Sequence, residues 1–259
     1  MQALRVTFLG TGTSQGVPLI GCECAVCLSP DVRDKRTRCS LYVQSPELSW
    51  VVDTGADFRS QCLREGIRRV DAALYTHAHT DHVLGFDDLR PFCQPDRPLP
   101  LYGSAATLGQ LAQMFAFAFE PGLRVPGYVN PRPNVVEGEF ALGEIRVLPL
   151  ELPHGRTLST GYLFSRGGEP LLAYLTDCKT VPVEVERAVA GVRHLVLDAL
   201  RKRPHPTHLS IGEALEVVER VGAESSWLTH LCHEHAHGDL EAELPAGVRV
   251  AYDGLKLEI

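Results

Sequence analysis

The run Thr76-His77-Ala78-His79-Thr80-Asp81-His82 sets three imidazoles and a carboxylate within six positions, directly after the apolar stretch Ala72–Tyr75. Imidazole and carboxylate together suit divalent ions such as Zn²⁺ or Mn²⁺. At a strand end alternate side chains share a side, so His77 and His79 aim at one point, and the following turn brings Asp81 and His82 toward a neighbouring one. The spacing therefore predicts two ions side by side, a centre that activates water and offsets charge on a phosphoryl group. One motif fills only part of two coordination shells, so further ligands are required at other strand ends. His154 follows Leu148-Pro149-Leu150, Asp177 follows Leu172–Thr176, and His230 follows Trp227-Leu228-Thr229. A single His at a strand end is usually a polar terminus. Four such sites in a chain with 11 His argue for chemistry.

A second cluster is Cys22-Glu23-Cys24-Ala25-Val26-Cys27, which holds three of the 8 cysteines. Crowding of this kind favours a metal over disulfides, with a redox dithiol as the alternative. Cys39, Cys62, Cys93, Cys178 and Cys232 are scattered, as expected of small buried hydrophobes.

Short apolar runs rich in β-branched and aromatic residues read as strands at Leu4–Leu9, Leu41–Gln44, Trp50–Asp53, Ala72–Thr76, Glu144–Leu150, Gly161–Phe164, Leu171–Thr176, His194–Asp198, Ser226–Thr229 and Val248–Tyr252. Helical patterns occupy Phe58–Glu65, Ala105–Phe119, Pro182–Ala190 and Ile211–Val221, the last opened by Ser210 with Glu213 three residues on. The mixture predicts an α/β sandwich with helices outside two sheets. The Pro-rich stretch Pro121–Pro133 reads as a surface loop or lid.

At 259 residues and 44% hydrophobic, the chain suits one domain spanning 1–259. Met1–Gly10 reads as a strand rather than a signal segment, and no apolar stretch reaches about 18 residues, so the expectation is a cytoplasmic protein without a membrane partner. A net charge of −7 argues against nucleic acid, which needs a basic surface. A small anion drawn to metals is still compatible, because four positive charges on two ions exceed the negative charges of Asp81 and Asp177.

His77-x-His79-x-Asp81-His82, with His154, Asp177 and His230 in that order, resembles the ligand set of metallo-β-lactamase-fold hydrolases. The resemblance implies a four-layer αββα sandwich. It also implies one ion held by His77, His79 and His154, a second by Asp81, His82 and His230, and Asp177 bridging both. Phe8-Leu9-Gly10-Thr11-Gly12-Thr13-Ser14-Gln15-Gly16-Val17-Pro18, followed by the cysteine cluster, is similar to the amino terminus of the phosphoribosyl 1,2-cyclic phosphate phosphodiesterases of phosphonate degradation. That likeness implies hydrolysis of a small phosphodiester, a homodimer, and a structural zinc on Cys22, Cys24, Cys27 and His233, a closed Cys3His arrangement. His235 and His237 compete with His233 for the fourth position.

The same likeness makes His208 the non-ligand acid that protonates the leaving group, with His205 as competitor. Arg201-Lys202-Arg203 either holds a second phosphate or forms a solvated face. Gly10-x-Gly12 reads as tight turns at the site rim, because Pro18 stands where a dinucleotide-binding helix would begin. By the same resemblance, Asp81 and Asp177 imply phosphodiesters or thiol-esters rather than β-lactams as substrates. RNA processing, thiol-ester hydrolysis and a non-catalytic metal-binding role in cofactor biosynthesis are the competing readings.

Overall fold

A computed structural model describes residues 3–94 and 97–259; the first two residues of the expected Met1–Gly10 strand lie outside them. The described strands are β1 (Arg5–Gly10), β2 (Ser40–Gln44), β3 (Ser49–Val52), β4 (Ala72–Leu74), β5 (Leu99–Gly103), β6 (Pro131–Val135), β7 (Phe140–Leu142), β8 (Ile145–His154), β9 (Thr157–Arg166), β10 (Glu169–Leu175), β11 (His194–Asp198), β12 (Ser225–Thr229), β13 (Val248–Val250) and β14 (Lys256–Glu258). One sheet runs β14-β1-β2-β3-β4-β5-β6 and the other β13-β12-β11-β10-β9-β8-β7.

The alternation of side chains along each strand fills three apolar layers. Leu41, Val43, Trp50, Val52 and Leu74 face Val147, Tyr162, Phe164, Leu172, Tyr174 and Val196 between the sheets. The opposite face of the first sheet, through Tyr42, Val51, Ala73 and Tyr75, packs on helices Phe58–Glu65 and Ala105–Met114. Leu195 and Leu197 of the second sheet pack on the helix Ile211–Val221, whose Ala214, Val217 and Val221 recur at helical spacing. Sheets buried on both faces need near-continuous apolar strands, and helix–sheet–sheet–helix is the resulting αββα order. Among the described residues, no helix is long and apolar enough to cross a membrane.

Several boundaries differ from expectation. β8 runs through Pro149 and Pro153 to His154, which thus ends the strand rather than following it. β9 pairs with it from Arg146 to His154, whereas β7 reaches only Val147, so the prolines have no ladder neighbour on the β7 side to need their missing N–H. The expected helix Ala105–Phe119 breaks at Phe115 into Ala105–Met114 and Ala116–Phe119. Pro131–Pro133, placed in the loop by its prolines, belongs to the edge strand β6. Gly10 and Gly12 are not turns. A Cβ at Gly10 would lie 1.9 Å from the Arg38 carbonyl oxygen, and at Gly12 2.8 Å from that of Arg36, so both allow two backbones to cross closely.

Candidate metal centre

The carboxyl ends of the central strands open onto one cleft. Asp53 follows β3, His77 and His79 follow β4, Asp177 follows β10, Asp198 closes β11, and His230 follows β12. Asp53, Asp177 and His230 have positive φ of 63°, 55° and 60°. That conformation is costly for residues bearing a Cβ and persists where surroundings impose it, as at functional sites. It turns each side chain out of the strand direction toward the cleft.

Two groups that could each hold a metal ion result. His77, His79 and His154 offer nitrogens that lie within 4.8 Å of one another, and Asp81, His82, Asp177 and His230 form a second group by the same measure. Asp177 Oδ2 stands between them, 3.7 Å from His77 Nε2 and 3.9 Å from His154 Nε2 on one side, 3.3 Å from His82 Nε2 and 3.4 Å from His230 Nε2 on the other. His79 turns Nδ1 to the centre, 2.8 Å from His77 Nε2.

The outer nitrogens of His82, His77 and His154 are fixed. His82 Nδ1 donates to Asp53 Oδ2 at 2.7 Å. The same oxygen accepts from Thr76 Oγ1, which in turn accepts from His77 Nδ1 at 3.0 Å. His154 Nδ1 donates to the Thr207 carbonyl at 2.9 Å. Such partners set the tautomer and leave the other nitrogen's lone pair for a metal. One carboxylate, Asp53, therefore orients a histidine in each group.

The inward atoms match a cation's needs. His82 Nε2 and His230 Nε2 are buried and have no hydrogen-bond partner among the described residues, and an unmet buried polar atom calls for an explanation. Burial, then the His82 charge, drives His77 well below the ordinary histidine range, and burial also lowers His230 and His154. Neutral imidazole is the ligating form. His82 is the exception: burial opposes its charge, but Asp177 and Asp53 outweigh it and raise it well above the ordinary histidine range. Asp177, despite burial, is held ionised by His230 and His82. A proton on His82 thus occupies ground that suits a cation between carboxylates.

His208 is 9% exposed and stacks 4.5 Å from His230, ring centroid to ring centroid. Its Nδ1 donates to Asp198 Oδ2 at 2.8 Å, an oxygen that also accepts from the Cys178 amide at 2.9 Å. His208 also falls in groupings with Asp198 and His230, or with His154 and Asp177. Its anchored Nδ1 leaves only Nε2 for the cleft. His205 lies one layer out, its ring centroid 5.2 Å from that of His208 and its Nδ1 3.1 Å from Thr207 Oγ1. Sequence reasoning missed Asp53 and Asp198, although each ends an apolar run at a carboxylate, the signal used for Asp177.

His233 Nδ1 lies 3.4, 3.4 and 3.6 Å from the sulfurs of Cys22, Cys24 and Cys27. His235 and His237 face elsewhere, His235 toward the Lys202 amide and His237 toward Arg36. The Cys24 thiol is lowered to about 6, chiefly by the Cys27 amide and then by His233, while burial pushes Cys27 up to about 11. The 8 cysteines are all free; Cys39, Cys62 and Cys178 are buried, and Cys93 and Cys232 half-buried. Of the basic run, Arg201 and Arg203 pair with Glu234 at 3.5 and 2.5 Å, and Lys202 with Glu243 at 2.6 Å. Those charges form a paired surface face.

A family model described as a β-lactamase superfamily domain matches residues 50–231. A solved diphosphatase from the PhnP family is 38% identical with a TM-score of 0.92, the alignment covering 100% of this chain and 98% of that one. An octanoyltransferase of Porphyromonas gingivalis is 36% identical over 98% of this chain, which spans only 51% of that relative's length. Coenzyme PQQ synthesis protein B of Methylorubrum populi is 27% identical over 75% of this chain and 72% of its own. With the αββα layers, the ligand order along the strands and these likenesses together, the chain belongs to the β-lactamase superfamily and, within it, to the PhnP family.

Proposed function

We propose that the protein is a dinuclear-metal hydrolase of a small phosphodiester, with a cyclic phosphate such as 5-phosphoribosyl 1,2-cyclic phosphate as the substrate that family membership favours. The observation carrying this reading is Asp177 Oδ2, placed 3.3–3.9 Å from four imidazole nitrogens of two ligand groups. His77, His79 and His154 would hold one divalent ion, Asp81, His82 and His230 the other, with Asp177 shared. Such ions supply a water acidified from about 15.7 toward about 7 and a Lewis-acid clamp on the phosphoryl oxygens.

The chain's own residues do the rest. Asp53 and the Thr207 carbonyl aim the ligands. Asp198 holds His208 by Nδ1, so a proton on Nε2 can pass to the departing alkoxide from the face of the cleft that His208 shares with His154 and Asp177. The test is turnover of bis(p-nitrophenyl) phosphate and of ribose 1,2-cyclic phosphate esters by metal-loaded protein. Binding without hydrolysis of either would move the chain to the non-catalytic reading.

Two further results are expected. Asp53→Asn should weaken metal affinity by about 10- to 100-fold while the fold persists, because the carboxylate that fixes His82, and His77 through Thr76, is lost. Titration with a competing chelator measures it, and unaltered affinity contradicts the assignment. We assign Cys22, Cys24, Cys27 and His233 to a structural zinc that ties the amino-terminal loop to the loop after β12. Cys24→Ser should then lower the melting temperature by roughly 5–10 °C and remove one zinc per chain, with activity following only secondarily. An unchanged melting temperature with unchanged zinc rejects it.

A further inference from the structure

Two cavities meet at the metal centre. One, of about 430 Å³, is lined by His79, Asp81, His154, Asp177, His208 and His230 among others, and is where the scissile phosphate would sit. The other, of about 690 Å³, extends away past His77 and His79 toward Val135 and Leu158. His79, Arg156 and Thr157 line both, so they mark the passage between them.

Arg156 is the only Lys or Arg among the described residues lining either cavity, and it makes no hydrogen bond or ion pair among them. Its position is built. It sits in the two-residue turn that joins β8 to β9, directly after the ligand His154 and Gly155. Gly155 has a φ of 62°, and a Cβ there would lie 2.6 Å from Thr207 Cγ2. The turn is therefore pressed against the Thr207–His208 loop, whose Thr207 carbonyl also holds His154. Charge falls off beyond it, for the larger cavity carries Glu137 and Glu151 together with apolar Val135, Leu150 and Leu158. Among the described residues, an anionic group meets the Arg156 guanidinium at the passage and the carboxylates of Glu137 and Glu151 farther on.

Resting on the phosphodiesterase reading above, we propose that Arg156 is a specificity residue. It binds a second anionic group of the substrate, a phosphate one step removed from the scissile one, while the cavity past it takes only uncharged parts. The Arg201–Arg203 run, its charges already paired with Glu234 and Glu243, is not that subsite. Guanidinium suits the role because its fork of donors matches phosphate oxygens. The side chain is exposed, so water competes and the discrimination sits at the low end for a charge-assisted hydrogen bond, on the order of tenfold.

The test compares ribose 1,5-bisphosphate with ribose 1-phosphate by calorimetry on metal-loaded wild type, Arg156→Gln and Arg156→Lys, a readout that needs no turnover. Wild type should prefer the bisphosphate by about tenfold, Arg156→Gln should bind both alike, and Arg156→Lys should keep part of the preference. No preference in wild type, a preference surviving in Arg156→Gln, or equal loss of both ligands each overturns the proposal. Cleavage of ribose 1,2-cyclic phosphate with and without a 5-phosphate then addresses the parent reading separately. An Arg156-dependent preference in a protein that hydrolyses no phosphodiester would retain the subsite and discard the enzyme.

Discussion

If the two proposed ions are held as argued, Asp177→Asn should cost the protein at least one of them and lower kcat/KM on bis(p-nitrophenyl) phosphate by about 10⁴-fold or more, the largest effect expected of any single change. The size follows from what the ions contribute, since without them the pKa of the attacking water returns from about 7 toward about 15.7. Asn is the informative replacement. It keeps the side-chain shape, and it tolerates the left-handed backbone that Asp177 adopts at φ 55° better than most residues do. Four imidazole nitrogens lie within 3.9 Å of Asp177 Oδ2, and a neutral amide cannot offset two divalent charges there. Metal analysis after gel filtration, with circular dichroism to show an intact fold, gives the result. Full occupancy with full activity would remove Asp177 from the bridging position.

His208→Ala should leave the metals in place and reduce turnover of alkyl phosphodiesters by about 10²- to 10⁴-fold, the range typical of a lost general acid. With p-nitrophenolate as leaving group the loss should shrink to less than about tenfold, because a good leaving group departs without a proton. The dependence on leaving group separates proton donation from mere damage to a site in which His208 stacks on His230. Asp198→Asn should imitate it in weaker form, since the amide can still accept from Nδ1 but no longer stabilises a charged ring. Equal losses on both substrates would leave His208 a packing residue, and would reopen the case for His205.

The candidate ligands were legible from their placement. His77, His154, Asp177 and His230 lie where an apolar run stops, and a residue that stops a buried strand comes out at the sheet edge beside its neighbours. The near-continuous apolar runs of β2, β3 and β4 likewise fit two-sided burial, hence two sheets with helices outside. Asp53 and Asp198 carried the same signature and were passed over, since a motif already supplied with seven ligands leaves no vacancy for residues that act on the ligands rather than on the metals. Their partners, His82 and His208, are distant in sequence, and only the folded chain shows which carboxylate reaches which ring.

The element boundaries that escaped sequence reasoning share a cause. Pro149, Pro153 and Pro131 argue against strand locally, yet each occupies a ladder position whose second neighbour is missing, so tertiary context removes the penalty. Arg156 was overlooked for a related reason. Nothing in the run His154-Gly155-Arg156-Thr157 separates it from any surface arginine, whereas the run at Arg201–Arg203 attracted notice by its density. The pairing of that run with Glu234 and Glu243 is a fact of folding.

Seven side chains should assemble around two neighbouring cations. Anomalous diffraction from crystals grown with zinc, and separately with manganese, tests it most directly. The expected map shows two peaks about 3.5–4 Å apart, flanking Asp177 and reached by His77, His79 and His154 on one side and Asp81, His82 and His230 on the other, with a third zinc peak among Cys22, Cys24, Cys27 and His233. A single peak at the cleft, or peaks that none of these residues touch, would contradict the account.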